Sequence, residues 1–208
     1  MDAPFWQQRW ATQQIGFHEA EVHAMLLEHG ASLGARTRVF VPLCGKSNDM
    51  AWLHAHGHSV VGVELADLAV RAFFDEHGLP ATQTSAPPFE VFSAAHYRLL
   101  CGDFFALTAL HLGAIAAVYD RAALIALPPA MRRDYASKMS ALCASGTAML
   151  LITVAYDTTV ITPPPFAVSA EEVVALYGKE WTIEVLNTRA ADVKGQPGTE
   201  QAFLLQRR

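Results

Sequence analysis

Cysteine is scarce in this chain of 208 residues. Cys44, Cys101 and Cys143 are odd in number and widely spaced, with no C-x-x-C pair for zinc or redox work, so they read as free thiols. Long apolar runs are missing too: none reaches the roughly 18–20 residues needed to cross a bilayer. Met1-Asp2-Ala3-Pro4 lacks the basic region and apolar core of a signal peptide, so a cytoplasmic protein without a membrane partner is expected. Basic charge is not in excess. A formal net charge of −5 argues against nucleic acid or an anionic membrane as the main partner. Ser47 lies in no G-x-S-x-G elbow, which removes support for hydrolase chemistry. No long exposed apolar stripe demands a partner, so a monomer is expected. What is present is a core-forming composition. With 52% hydrophobic and 17% charged residues, the chain suits one globular domain, 1–208, acting on a small molecule.

The stretch from Arg38 to Leu65 says most about function. Val39-Phe40-Val41-Pro42-Leu43 has the length and branching of a strand buried on both faces of a parallel sheet. Cys44-Gly45-Lys46-Ser47 leads to Asn48 and Asp49, either of which can cap a helix that Gly57 ends. Val60-Val61-Gly62-Val63 then closes on Glu64, completing a βαβ unit with an acid at the end of its second strand. A carboxylate there, about twenty residues after the loop, can accept two hydrogen bonds from the vicinal hydroxyls of a ribose. The loop limits the kind of nucleoside. A dinucleotide needs G-x-G-x-x-G, and only Gly45 is present. A P-loop is excluded because Phe40 stands at its first glycine. S-adenosylmethionine, a nucleoside without phosphates, fits this loop. The plain alternative is a strand-loop-helix that only packs.

The chain in order supplies the rest of a site. Asp2 to Trp10 reads as a short helix with Asp2 able to cap it and Trp6 and Trp10 on one face. Ile15-Gly16-Phe17-His18 follows, then a helix expected from Glu19 to Gly30. Residues 1–30 thus read as an arm lying across the ligand, or as an aromatic cap on the core. A helix is expected over Leu68 to His77 and, with Pro87 and Pro88 in it, a partly extended connection over Ala81 to Phe92. Tyr97 to Leu100 is the third strand. Asp103 and Phe104 at its end can hold an adenine, the acid beside the exocyclic amine and the ring on the base; alternatively Asp103 only caps a turn. Ala114 to Val118 is the fourth strand. It ends in Asp120 and Arg121, with Arg121 facing the substrate and Asp120 positioning it, or the two forming a surface ion pair. A helix over Pro129 to Cys143 and a fifth strand over Ala148 to Val154 follow. Asp157 to Phe166 is a stiff loop suited to a substrate wall. Ser169 caps a further helix, and Trp181 to Arg189 and Glu200 to Gln206 read as an antiparallel hairpin. The plan is an α/β, doubly wound, seven-stranded, mostly parallel sheet with an antiparallel C-terminal hairpin. His54, His56 and His58 alternate but do not share a helix face, so no metal site is expected.

Several stretches resemble the bacterial type of the thiopurine S-methyltransferase family. They are Phe5-Trp6-x-x-Arg9-Trp10 with Ile15-Gly16-Phe17-His18, then VPLCGKSNDMAWL, GHSVVGVEL, GDFF and YDRAALIALPPAMRRDYA. The resemblance covers most of Phe5 to Tyr156. It implies a Rossmann-like methyltransferase fold in which Trp6, Trp10, Leu43, Glu64, Asp103, Phe104 and Arg121 contact S-adenosylmethionine and Phe17 meets the substrate. Thr158 and Pro163 depart from the family's usual glutamine and glycine, and the tail is short, which bears on substrate preference. Bacterial relatives are also associated with selenium and tellurium species. The expected reaction is methyl transfer to a thiol, selenol or tellurium acceptor, leaving S-adenosylhomocysteine. An NAD(P)-dependent reductase on a similar sheet and a non-catalytic protein that sequesters a small molecule or metalloid are the alternatives.

Overall fold

The computed structural model describes residues 3–208, so Asp2 and its expected capping role lie outside the described residues. Among the described residues nine strands join one sheet: β1 (Arg38–Pro42), β2 (Ser59–Glu64), β3 (Thr82–Ala86), β4 (Phe89–Ala94), β5 (Tyr97–Cys101), β6 (Ala117–Arg121), β7 (Ala148–Tyr156), β8 (Trp181–Val193) and β9 (Gln196–Arg207). Their order is β3-β4-β5-β2-β1-β6-β7-β9-β8. The strands from β5 to β7 run parallel, and β9 and β8 close that side antiparallel. These are the seven strands expected from the sequence. The other two correct it: residues expected to form only a connection instead fold back as the β3–β4 hairpin and extend the sheet beyond β5. Phe89, Val91 and Phe92 bury against the core and hold that hairpin in place.

Helices cover both faces because the strand residues alternate. α1 (Ala3–Ala11), α2 (Ala24–His29), α3 (Asn48–Ala55), α4 (Asp67–Glu76), α5 (Ala109–Leu112), α6 (Pro129–Leu142) and α7 (Ala170–Tyr177) are the α-helices among the described residues. Phe40, Val61 and Val118 pack with Tyr135 and Met139 of α6 and Val173 and Tyr177 of α7. Val39, Val41 and Val60 point the other way, onto Met25 and Leu26 of α2, Met50 and Leu53 of α3, and Val70 and Phe73 of α4. Each fully buried side chain of this size is worth about 1.5–3 kcal/mol, so register is fixed on both faces at once.

Three expected boundaries move. The helix expected from Glu19 begins at Ala24, because the His23 side chain accepts from Met25 N and caps it there; Val22 stays outside. The fourth strand shifts toward the carboxyl end. Pairing of Val39 with Ala117 and Phe40 with Val118 puts Asp120 and Arg121 inside β6. The C-terminal hairpin turns at Lys194-Gly195, with φ of 54° and 78°, the left-handed pair that a two-residue turn requires. Both of its strands are therefore longer than expected. No helix among the described residues is long and apolar enough to cross a membrane.

Candidate active site

The carboxyl ends of β1, β2, β5 and β6 open onto one cavity of about 840 Å³, within the roughly 300–1,000 Å³ of small-molecule sites. The loop after β1 is drawn tight against β2. Cys44 N donates to Val63 O at 3.0 Å, and Gly45 N donates to Glu64 Oε2 at 2.9 Å. Glu64 Oε1 accepts from Ala66 N at 2.9 Å. A carboxylate has about four lone-pair sites, so these backbone donors leave it some acceptor capacity, and Glu64 lines the cavity although it is only 7% exposed. Burial pushes its carboxyl above the usual range, and the N–H groups of Ala66, Gly45 and Leu65 pull it back down. Gly45 has φ of 53°, and a Cβ there would stand 3.1 Å from the Trp10 ring. Glycine is needed for both reasons.

Leu43, Asp103 and Phe104 also line the cavity. The Asp103 carboxylate accepts from Phe105 N at 2.9 Å, which makes it the cap of the following turn. Phe104 is 5% exposed, stacked on Phe40 at 6.4 Å and tilted against Tyr135 at 4.6 Å. It is a firm, nearly buried part of the cavity wall. The arm covers the opposite side. Phe17 meets Trp6 and Trp10 edge to face, at 5.6 and 5.5 Å, and all three rings line the cavity. Beside them, burial and the positive charges of Lys46 and Arg121 push the His18 imidazole below its usual range, against the pull of Glu76 and Glu19.

Arg121 enters the cavity from β6 with its side chain 12% exposed. It pairs with Glu19 of the arm, and Nη1 lies 3.9 Å from Asp49 Oδ2. The expected partnership with Asp120 is not formed. Neighbours on a strand point to opposite faces, and Asp120 is fully buried beneath the cavity wall, accepting from the Tyr135 hydroxyl at 2.8 Å and Leu124 N at 3.3 Å. Burial raises its carboxyl to about 6. Sequence reasoning missed Asp49, Tyr119, His23 and Glu200, which border the same end of the cavity. His23 Nε2 lies 2.9 Å from Glu200 Oε1, a contact across 177 positions of chain that no local pattern announces. The hairpin tip, Ala191 to Lys194, joins Pro164 and Pro165 in closing this end.

The alternating histidines are engaged separately. His56 stacks on Trp52 at 3.7 Å, His54 tilts on His96 at 5.0 Å, and His58 Nδ1 accepts from Thr37 N at 3.2 Å. Cys44 is buried, and burial together with the Glu64 charge pushes its thiol well above the usual range. It stays protonated and unreactive.

A five-stranded parallel centre with a reversed hairpin at one side, and a nucleoside-sized cavity across its carboxyl edge, defines the Rossmann-like methyltransferase class. The chain superposes on the 1,6-didemethyltoxoflavin-N1-methyltransferase of Burkholderia thailandensis, solved with S-adenosylhomocysteine, with a TM-score of 0.71 at 14% identity over 99% of this chain and 87% of that one. It also superposes on the N-methyltransferase NodS of Bradyrhizobium japonicum WM9, again with S-adenosylhomocysteine, with a TM-score of 0.63 at 14% identity over 88% and 84%. The model of the thiopurine S-methyltransferase family matches residues 1–205. A protein of Pseudomonas fluorescens SBW25 named thiopurine S-methyltransferase is 49% identical over 198 residues, 94% of this chain and 90% of that one. The chain belongs to the thiopurine S-methyltransferase family, and it is a methyltransferase dependent on S-adenosylmethionine.

Proposed function

We propose that this enzyme methylates the sulfur of a small soft nucleophile, a heteroaromatic thiol such as a thiopurine, with selenium or tellurium species as further acceptors. The observation that carries this reading is that the Glu64 carboxylate and the Arg121 guanidinium line one and the same cavity. The donor, when bound, supplies an electrophilic methyl group on a sulfonium. The chain's residues then have two tasks. Glu64 receives the ribose diol on the lone-pair capacity that its backbone donors leave free. Asp103 and Phe104 flank the adenine, and Leu43, Trp6 and Trp10 close over the remainder. Residues 1–30 form the arm that excludes water from both reactants, within one methyltransferase domain spanning 1–208. A monomeric enzyme in the cytoplasm is the proposed state and location.

Phe17 faces the acceptor, and Arg121 favours its thiolate form. In-line displacement needs no general base here, because heteroaromatic thiols ionise near neutral pH. Holding donor and acceptor aligned and dry can contribute about 7–11 kcal/mol to lowering the barrier. The test is a mass-spectrometric assay with S-adenosylmethionine and a panel of thiols, selenols and tellurite, run on wild type and Arg121→Ala. The expected outcome is S-methylated product and a turnover that falls much further than cofactor affinity in the variant. Wild-type turnover in Arg121→Ala removes Arg121 from the reaction. No methylated product from any member of the panel overturns the acceptor class.

A further inference from the structure

Asp49 is 1% exposed, yet no sequence pattern explains why an acid should be buried there. It stands in the first turn of α3, where an acid commonly serves as a cap, but Ser47 does the capping: its hydroxyl accepts from Asp49 N at 3.2 Å. The Asp49 carboxylate is left for other partners. Oδ1 accepts from His23 N at 2.8 Å, and Oδ2 accepts from the Tyr119 hydroxyl at 2.9 Å. Arg121 Nη1 lies 3.9 Å from the same Oδ2. One carboxylate therefore ties together the start of α2, the carboxyl end of β6 and the guanidinium in the cavity. The α3 N-terminus favours its charge, and these donors offset the cost of burying it.

Arg121 has a second ion partner, Glu19, but that side chain is 51% exposed and sits on the irregular segment before α2. Glu19 can hold the guanidinium only while the arm is in place. Asp49 lies on a helix packed against the sheet, and Tyr119 and Arg121 are two apart on β6, so all three keep their relation whatever the arm does. Burial and the neighbouring Asp49 charge push the Tyr119 phenol well up, so it remains a hydroxyl donating to Asp49.

We propose that Asp49 is a positioning residue for methyl transfer: it holds the Arg121 guanidinium and the Tyr119 hydroxyl at the acceptor end of the cavity. The proposal rests on the acceptor role of Arg121. Asp49 does not touch the reacting atoms and acts through Arg121. Replacing it with asparagine keeps the volume. The amide nitrogen, however, cannot accept from His23 N or the Tyr119 hydroxyl, and the buried charge opposite Arg121 is lost, leaving only the exposed Glu19.

The experiment measures kcat and KM with 6-thiopurine for wild type, Asp49→Asn, Arg121→Ala and the double variant, and S-adenosylhomocysteine affinity for each by calorimetry. Asp49→Asn is expected to lower kcat by up to about 100-fold, as small displacements of a reacting group do, with near-normal S-adenosylhomocysteine affinity. The same substitution should cost little more once Arg121 is gone, because the two act as a unit. Asp49→Glu should recover part of the loss. Normal turnover in Asp49→Asn, or a loss undiminished in the Arg121→Ala background, overturns the proposal and leaves the Arg121 reading standing. Normal turnover in Arg121→Ala overturns both. Should Asp49→Asn not bind S-adenosylhomocysteine, Tyr119→Phe removes one hydroxyl from the same carboxylate and goes through the same cycle. A kcat loss that requires Arg121 supports the positioning role; an equal loss in both backgrounds overturns it.

Discussion

Replacing Glu64 with glutamine perturbs the cofactor end of the cavity at one atom. In the native protein Oε2 and Oε1 accept backbone N–H groups at 2.9 Å, from Gly45 and Ala66, and on the proposed reading the remaining lone-pair capacity receives the ribose diol. The amide keeps a single oxygen, and its nitrogen must oppose one of those two N–H groups. One diol hydroxyl loses its acceptor and the other loses charge assistance, a loss of roughly 1.5–3 kcal/mol. That corresponds to a rise of about 10- to 150-fold in Kd. Calorimetric titration with S-adenosylhomocysteine and with its 2′,3′-dideoxy analogue measures it. Wild type should prefer the diol by about that factor, and Glu64→Gln should lose most of the preference. The fold gives up a costly buried carboxylate but leaves one backbone N–H unpaired, so thermal unfolding of Glu64→Gln is to be measured beside the titration to separate the two losses. The same carboxylate sets a pH dependence. Its protonation removes an acceptor from the diol, so affinity is full above its raised pKa and falls as pH drops through it. Equal affinity of variant and wild type for S-adenosylhomocysteine, or a wild type indifferent to the diol, would refute the reasoning.

The remaining predictions concern the loop and the buried acid behind it. Gly45→Ala puts a side chain at φ of 53° and 3.1 Å from Trp10; the left-handed backbone alone costs about 1–2 kcal/mol. Thermal unfolding should show at least that loss and S-adenosylhomocysteine titration a weaker cofactor site; unchanged stability would contradict the left-handed backbone, and unchanged affinity the contact between the loop and Trp10. Asp120, raised to about 6 in the fold, binds its proton more tightly folded than unfolded. Its contribution to stability therefore grows as pH falls through about 6 and is lost above it, and each tenfold tightening of the proton is worth roughly 1.4 kcal/mol. Compared by thermal melts at about pH 5 and about pH 7, wild type should gain on Asp120→Asn at the lower pH; a constant difference contradicts the burial assigned to this carboxyl.

Local patterns made the first βαβ unit legible. Val39 to Val41 and Val60 to Val63 are buried on both faces, as continuous apolar runs indicate, and the loop between them had few glycines and one acid at a fixed distance. The carboxyl edge that gathers Leu43, Glu64, Asp103 and Arg121 follows from parallel pairing alone. Contacts between distant segments were not legible. Asp49 looked like a helix cap because its partners, His23 and Tyr119, lie 26 and 70 positions away. Asp120 looked like a partner for Arg121 because adjacency in sequence was read as adjacency of side chains, which a strand forbids. The β3–β4 hairpin was hidden by Pro87 and Pro88, which signalled a connection. They occupy its turn, between Ala86 and Phe89.

The fold is shared with enzymes that methylate nitrogen, so the atom that receives the methyl group tests the account most directly. Incubation with methyl-labelled S-adenosylmethionine and 6-thiopurine, followed by product NMR, should find the label on sulfur. Label on a ring nitrogen, or binding of both ligands with no transfer to any soft acceptor, would contradict it.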